Sequence, residues 1–188
     1  MSLTTRYAEA LFPNPVRIFG RRLHPYCIGH ALLLHRVGNP MAYGQTGGIG
    51  DLLSALYICS RPWQKALAGL NKRRVQWLLR RWGRKLSKPK AAVAVGIAEQ
   101  EFSAYITRAW DGPDLWEKPG RKRHAGCPTL TALKVSVQVL LHRSEEEALS
   151  TPVRAALFDC AAWREVEGLL EWVSDEELDA IESVRNRN

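Results

Sequence analysis

The stretch LHPYCIGHALLLH, residues 23–35, places three histidines and one cysteine in thirteen positions. His24, Cys27 and His30 follow an H-x2-C-x2-H spacing, and zinc accepts both imidazole nitrogen and thiolate sulfur as ligands. His124 and Cys127 repeat the H-x2-C spacing in a distant segment and could supply further ligands. Structural zinc sites usually contain paired C-x2-C or H-x3-H hooks, and an isolated cysteine commonly behaves as a small buried hydrophobic residue. We therefore predict no metal and no cofactor, with these five residues as the alternative ligand set.

The favoured interpretation of this stretch is the beginning of a buried helix. In it Cys27 and residues 32–34 pack inward, Pro25 sets the turn, and Gly29 permits close approach of a neighbouring element. His30 satisfies a buried polar contact.

Other motifs with catalytic or phosphate-binding chemistry are incomplete. The loop GQTGGIGD has the glycines that let backbone amides approach an anion, but it lacks the Lys-Ser/Thr ending of a P-loop, and Asp51 would repel phosphate. No G-x-S-x-G, no HExxH and no matching Cys-His-Asn set is present. The segments SEEE and SDEE place their carboxylates where they stabilise helix N-termini. The sequence predicts a protein that is not an enzyme.

The basic, tryptophan-bearing segment within residues 61–90 is the most informative feature. Eleven Lys and Arg residues and no carboxylate lie between Asp51 and Glu99. One interpretation is nucleic-acid binding, with arginines on phosphates and a tryptophan stacked on bases. Another is a protein partner, and a third makes Trp77 and Trp82 core anchors beside a solvated arginine face. The candidate binding residues are Arg73, Arg74, Trp77, Arg80, Arg81, Arg84 and Lys85.

Composition and charge restrict the class of protein. The 188 residues are 46% hydrophobic, enough for a core, and carry a net charge of +8. Residues 140–188 contain twelve acidic and five basic residues, net −7, whereas residues 1–139 contain 22 basic and 7 acidic residues, net +15. We expect reduced cysteines, no secretory signal, no membrane span, and a soluble cytoplasmic protein with an acidic partner.

The hydrophobic periodicity predicts a mainly α fold, a compact multi-helix bundle with a short N-terminal β-hairpin. The hairpin is expected in PNPVRIFGRRLHP, after an N-terminal loop. The predicted helices are IGHALLLHRVG, DLLSALYICS, residues 63–86, AAVAVGIAEQEFSAYITRAW, TLTALKVSVQVLLHR, PVRAALFDCAAWREVEG and SDEELDAIESVR. Part of TLTALKVSVQVLLHR could instead be a strand, because it is rich in β-branched residues.

Residue types at the helix ends predict caps and stops. Asp51 is expected as an N-cap, and Thr151 with Pro152 as N-cap and first helical residue. Ser144 and Glu147, and likewise Ser174 and Glu177, have capping-box spacing. Gly38 and Gly168 are expected to stop their helices.

We predict one helical domain over residues 1–188. The alternative is a basic helical part at 1–110 and an acidic helical part at 129–188, joined by residues 111–128. That segment contains three prolines and three glycines and is expected to be a loop or hinge.

Three segments carry a resemblance to a known family: VRIFGRRLHPYCIGHALLLHRVGNP, GGIGDLLSALYICSRPW and SEEEALSTPVRAALFDCAAWREVEG. In this order they resemble bacteriophage and prophage proteins from tail-gene regions, and the last is similar to the helical C-terminal part of tail assembly chaperone-like proteins. They cover about a third of the chain. The basic block at 61–90 departs from what a simple acidic chaperone would have.

The resemblance implies a non-enzymatic morphogenesis protein, a tail assembly chaperone or minor tail component, that binds phage structural proteins. It would shield an aggregation-prone partner such as the tape measure, in the host cytoplasm or in the virion. The complementary charges of the two parts also favour a homo-oligomer formed head to tail. The alternative function is a helical module that binds nucleic acid through residues 61–90.

Overall fold

Helices make up most of the chain. The computed structural model describes residues 2–116 and 127–185. The ten α-helices in these residues are α1 (Leu3–Leu11), α2 (Ile28–Arg36), α3 (Ile49–Cys59), α4 (Trp63–Leu70), α5 (Arg73–Leu86), α6 (Ala92–Ala109), α7 (Thr129–Leu140), α8 (Glu145–Ser150), α9 (Val153–Val166) and α10 (Asp175–Arg185). Two antiparallel strand pairs accompany them, β1 (Arg17–Ile18) with β2 (Arg21–Arg22) and β3 (Leu115–Trp116) with β4 (Glu171–Trp172). The mainly α fold is confirmed, and so is the N-terminal hairpin. The described part of the chain contains no helix with the length and apolar character needed to cross a bilayer.

The core surrounds α3, in which seven of eleven residues are buried. This helix contacts α2, α4, α5 and α6. Its enclosure follows from composition, because DLLSALYIC offers apolar residues around most of the helix circumference. Asn39 joins the preceding turn to α3: its buried side chain donates to the Asp51 carbonyl at 2.8 Å and to Ser54 Oγ at 2.9 Å.

Backbone hydrogen bonds join the beginning of α2 to the beginning of α9. The amide of Ile28 donates to the carbonyl of Thr151 at 3.1 Å, and the amide of Val153 donates to the carbonyl of Tyr26 at 2.8 Å. A helix leaves its first amides without intrahelical partners, so each helix here satisfies one such amide of the other. Segments more than a hundred residues apart are thereby joined inside the apolar core.

The N-terminal loop predicted from the sequence is wrong, because residues 3–11 form helix α1. Ser2 caps α1, its Oγ accepting from the Thr5 amide at 3.3 Å. Only Ala10 of α1 is buried, so burial alone does not explain the helix. Arg6 donates to Asp114 at 2.7 Å and to the Gly112 carbonyl at 2.6 Å. These long-range contacts hold α1 against the segment that follows α6.

The single helix expected over residues 63–86 is two helices. The chain turns at Asn71 and Lys72, and Gln76 Nε2 donates to the Leu70 carbonyl at 2.8 Å across the turn. The apolar pattern contains a signal for this break, because Leu70 and Val75 are five residues apart and a continuous helical face requires three or four.

Two predicted caps are wrong and the others are confirmed. Asp51 is the third residue of α3, and its carboxylate accepts from the Gly48 amide at 2.9 Å. Thr151 follows α8, where its hydroxyl donates to the Glu147 carbonyl at 2.8 Å, and Pro152 lies just before α9. The confirmed capping boxes are Ser144 with Glu147 and Ser174 with Glu177, and Gly38 and Gly168 follow their helices with φ of +65° and +66°.

The segment at 111–128 is not loop throughout. Residues 115–116 form β3, whose register pairs Leu115 with Trp172. Residues 117–126 lie outside the described part of the chain. The apolar core includes residues from both the 1–110 and the 129–188 parts, such as Phe102 and Val153. A hinge between these parts stays a prediction.

Replacing Gly29 should destabilise the fold. A Cβ atom at this position would lie 2.6 Å from Cγ of Trp63, whose indole also donates to Ser150 Oγ at 3.1 Å. We expect Gly29→Ala to lower the free energy of unfolding by about 1–3 kcal/mol through overpacking. Urea denaturation followed by circular dichroism measures this change.

Gly96→Ala is the matched control, since Gly96 lies within α6 with no atom near its Cβ position. It should raise the free energy of unfolding by about 0.5–1 kcal/mol because alanine is the better helix former. Equal effects of the two substitutions would contradict the close approach of Trp63 to α2.

Candidate partner-binding surface

The outward face of α5 is the candidate surface. The stripe of Val75, Leu79 and Leu86 packs against the core, but no residue of α5 is fully buried. Every other side chain of the helix except Gly83 is exposed. We call the exposed residues of α5 other than Gln76 the α5 surface; they are Arg73, Arg74, Trp77, Leu78, Arg80, Arg81, Trp82, Arg84 and Lys85. All seven candidate binding residues therefore lie on one helix and are exposed, whereas their role in binding stays a prediction.

The two tryptophans of α5 are not core anchors. Trp77 is 53% exposed and Trp82 is 42% exposed. The guanidinium of Arg81 lies 5.3 Å from a Trp77 ring centroid, and the ammonium of Lys85 lies 5.6 Å from a Trp82 ring centroid. These distances suit cation–π attraction, which holds the rings beside charged groups at the surface.

An apolar groove runs beside α5. It has a volume of about 180 Å³ and lies between α5, α3 and the hairpin. Its lining is formed by Phe19, Arg21, Leu53, Leu56, Tyr57, Arg61, Val75, Leu78, Leu79 and Trp82. Most of these side chains are aliphatic or aromatic, and the cations Arg21 and Arg61 stand at its border. The groove suits apolar side chains flanked by negative charge.

Phe19 at this groove has an unusual backbone conformation. Its φ is +49° and the following Gly20 has φ of +73°, the combination of a type I′ hairpin turn. This conformation favours Asn, Asp or Gly at the first position and is strained for a bulky residue. Because the side chain of Phe19 is 38% exposed, its packing against the core offsets only part of this backbone strain.

The cations of the α5 surface have no carboxylate partner in the described part of the chain. None of its arginines or lysines forms an ion pair with a described residue. Arg73 and Arg74 occupy the first turn, where the helix macrodipole disfavours positive charge. These residues therefore do not stabilise α5 electrostatically, and their positive potential faces solvent, where an acidic partner would meet it.

The histidine–cysteine stretch forms a different arrangement, in the interior. His30 Nε2 lies 2.8 Å from the Arg61 carbonyl, which can only accept, so Nε2 carries the proton. His30 Nδ1 then accepts from the Cys27 amide at 3.4 Å and faces Cys27 Sγ at 3.2 Å. Both ring nitrogens are engaged by the protein. The expected buried polar contact of His30 is confirmed, and Cys27 is buried as expected.

Of the alternative zinc ligands, Cys27 and His30 are in contact, but no third described ligand joins them. His24 is exposed, Cys127 is exposed, and His124 lies within 117–126. Among the described residues no group of three His, Cys, Asp or Glu side chains could hold a metal ion. A metal site that includes His124 stays untested by the geometry.

A cysteine beside a histidine is also the arrangement of a nucleophile and its base. Burial raises the pKa of the Cys27 thiol to about 11, so the thiol stays protonated at neutral pH. Only 4% of this residue is exposed, which leaves no approach for a substrate. The pair suits a structural hydrogen bond better than nucleophilic chemistry.

A second cavity, of about 320 Å³, lies between α1, the segment after β2, α6 and α9. Arg154 contributes a cation to it, but this guanidinium already donates to Asp111 Oδ2 at 2.7 Å and lies 3.5 Å from Glu9. Arg22 and Arg108 also line this cavity, and neither forms an ion pair with a described residue. The cavity therefore has cations of its own, but its lining contains no tryptophan such as those of the α5 surface.

Comparison of the chain with protein-family models, curated proteins and solved structures finds no match. The α5 surface and the sequence resemblance to phage tail-region proteins are therefore the features that bear on function.

Sequence reasoning missed Phe19 and Leu53 as residues that line the groove, and Leu78 as a residue of the α5 surface. Phe19 and Leu53 belong to other elements, and only the folded chain brings them beside α5. Leu78 lies next to Trp77 and is one of the regularly spaced apolar residues of this segment. The sequence does not show that its side chain is 39% exposed.

Protonation of His30 should make stability depend on pH. Burial lowers the pKa of His30 below its ordinary 6.5 in the folded protein. The unfolded chain then binds a proton more readily, so the free energy of unfolding should fall as pH falls below 6.5 towards the lowered folded pKa. Urea denaturation at about pH 7.5 and about pH 5.5 measures this slope.

His30→Gln should flatten the pH dependence, while lowering stability at the higher pH through lost hydrogen bonds. The unsubstituted protein measured at the same two pH values is the reference for this comparison. An unaltered slope in His30→Gln would assign the pH dependence to other groups.

Two buried tyrosines should respond differently to loss of their hydroxyls. Tyr105 donates to the His24 carbonyl at 2.7 Å, whereas the buried Tyr26 hydroxyl has no hydrogen-bond partner among the described residues. We expect Tyr105→Phe to lower the free energy of unfolding by about 1–2 kcal/mol and Tyr26→Phe to alter it by less than about 0.5 kcal/mol. Thermal and urea unfolding of the pair tests this difference, and a larger loss for Tyr26→Phe would contradict it.

Proposed function

We propose that this protein is a non-enzymatic bacteriophage morphogenesis protein that binds other phage structural proteins through the α5 surface. The observation that carries the binding role is the apolar groove beside a row of cations that pair with no described carboxylate. The phage assignment rests on the sequence resemblance. A tail assembly chaperone or a minor tail component is the form of this role that the resemblance implies.

A protein partner suits the groove better than a nucleic acid does. Phosphates and bases need cations, hydrogen bonds and flat rings, but they gain nothing from aliphatic walls such as Leu53, Leu78 and Leu79. A partner helix with apolar side chains spaced three and four residues apart, flanked by Asp or Glu, would use both the groove and its charged border. The strained Phe19 supports this view, because strained residues persist where function retains them.

Binding of a phage partner is tested by co-expression with the tape-measure protein of the same phage. We expect the soluble fraction of the tape measure to rise when this protein is present, and a complex to be isolated. Trp82→Ala should weaken the complex by about 2 kcal/mol, or about thirtyfold in Kd, because exposed tryptophans beside grooves are common binding hot spots. Isothermal titration calorimetry of the purified complex gives the affinity.

Phe19→Asn separates binding from folding. Asparagine tolerates positive φ, so this variant should unfold at the same or a higher temperature while binding the partner more weakly. For a variant that carries Arg80→Glu, Arg81→Glu and Arg84→Glu, the charge-matched control carries Arg36→Glu, Arg143→Glu and Arg164→Glu, at three exposed residues outside α5. A tape measure whose solubility and binding ignore the protein would overturn the chaperone role.

Nucleic-acid binding is the competing outcome, favoured by the exposed Trp77 and Trp82 beside arginines. Fluorescence anisotropy with a short DNA duplex distinguishes it. Binding that weakens steeply with salt, is lost in the Arg80→Glu, Arg81→Glu, Arg84→Glu variant and survives Leu78→Ser would assign the surface to phosphates. We expect no such binding at physiological ionic strength.

A further inference from the structure

Arginines from three separate elements line the second cavity, the one of about 320 Å³ between α1, the segment after β2, α6 and α9. Arg22 comes from β2, Arg108 from the last turn of α6, and Arg154 from the first turn of α9. Arg154 is paired with Glu9 and Asp111, and Glu9 is the only carboxylate among the described lining residues. Arg22 and Arg108 therefore supply two positive charges that no described lining residue offsets.

The hairpin places a further cation beside Arg22. Arg17 of β1 is the register partner of Arg22 in β2, so the two side chains leave the same face of the hairpin. Residues directly opposite each other have Cβ atoms about 4.5–5.5 Å apart, and like charges at such positions are destabilising. Both arginines are exposed, and neither forms an ion pair with a described residue. An anion bound at Arg22 would offset this repulsion.

His24 reports the positive potential of the cavity that it lines. Burial lowers the pKa of its imidazole, and the charges of Arg22 and Lys65 lower this pKa further. The imidazole is therefore neutral at pH 7. The potential that disfavours its protonation favours an anion at the same place.

The walls of the cavity suit the apolar part of a ligand. A proline ring fixes φ and removes the backbone N–H, so prolines form stiff walls that offer an anion no amide donor. Stiff walls also reduce the entropy lost on binding. The volume lies at the lower end of the range for small-molecule sites, about 300–1,000 Å³. The apolar and aromatic lining consists of Ala10, Pro13, Pro15, Val16, Leu23, Pro25, Tyr26, Tyr105, Ala109 and Pro152.

We propose that the second cavity binds a small phosphate monoester, with its phosphate on Arg22 and Arg108 and its organic group against the proline walls. A phosphate monoester carries a charge of about −1.5 to −2 at pH 7, which matches two arginines better than the single charge of a carboxylate does. The planar guanidinium group can donate two parallel hydrogen bonds to phosphate oxygens.

This site is separate from the groove beside α5. Successive residues of a strand point to opposite sides, and Arg21 lines the groove whereas Arg22 lines the second cavity. No residue of α5 belongs to the lining of the second cavity among the described residues. Ligand binding here goes beyond the proposed function, and its test does not involve the tape measure.

Isothermal titration calorimetry of the full-length protein with benzyl phosphate tests the proposal. At about 150 mM salt we expect a Kd below about 1 mM. Inorganic phosphate lacks the apolar group, benzyl alcohol lacks the charge, and phenylacetate has a single charge, so each should bind at least about tenfold more weakly. Absence of benzyl phosphate binding, or equal affinity for benzyl alcohol or phenylacetate, overturns the proposal.

Substitutions locate the bound ligand. Arg22→Gln and Arg108→Gln should each weaken benzyl phosphate binding at least about tenfold, because each removes a charge-assisted contact. Arg36→Gln is the matched control, since Arg36 is exposed at the end of α2 and does not line the cavity. Loss of binding in the Arg80→Glu, Arg81→Glu, Arg84→Glu variant, with Arg22→Gln unaffected, would assign the phosphate to the α5 surface and overturn the proposal.

Arg22→Gln also separates binding from folding. Because this change removes the repulsion from Arg17, the variant should unfold at the same or a higher temperature while binding benzyl phosphate more weakly. The ligand should raise the Tm of the unsubstituted protein and have less effect on that of Arg22→Gln. In NMR titrations, saturating benzyl phosphate should raise the pKa of His24. A His24 pKa that ignores the ligand would place it outside the second cavity and overturn the proposal.

Discussion

The amide of Ile28 donates to the carbonyl of Thr151, and the amide of Val153 donates to the carbonyl of Tyr26. This exchange satisfies two helix-start amides inside an apolar core, where an unpaired amide is costly. It also fixes α9 beside α2, and α1 and α7 pack on α9 in turn. The basic first part and the acidic last part of the chain therefore share one core at this point.

The enclosure of α3 determines what α5 can do. Since α3 is buried by its neighbours, α5 covers it with a single stripe of Val75, Leu79 and Leu86. The remaining circumference of α5 has no covering element among the described residues, which exposes two tryptophans and six cations together. The surface is a consequence of packing geometry, and its positive charge remains because no described carboxylate pairs with it.

Sequence patterns predicted those elements whose signals are local. The hairpin around Gly20, the helices α2, α6 and α9, and the boxes of Ser144 and Ser174 depend on neighbouring residues, and the structure has them. Helix α1 was missed because its stability comes from Arg6 contacts to residues more than a hundred positions away. Thr151 was wrongly predicted as an N-cap for a similar reason. Its carbonyl accepts from the Ile28 amide, and its hydroxyl donates to the Glu147 carbonyl.

By itself the sequence determined the helical class, the separation of basic from acidic segments, and the position of the cation-rich block, because composition and helical period are local properties. Only the tertiary structure decided that Trp77 and Trp82 face solvent, that Phe19 and Leu53 meet α5, and that the Arg61 carbonyl is the partner of the buried His30. The physical reason is that a helical pattern marks which residues share a face, whereas burial depends on which other elements cover that face.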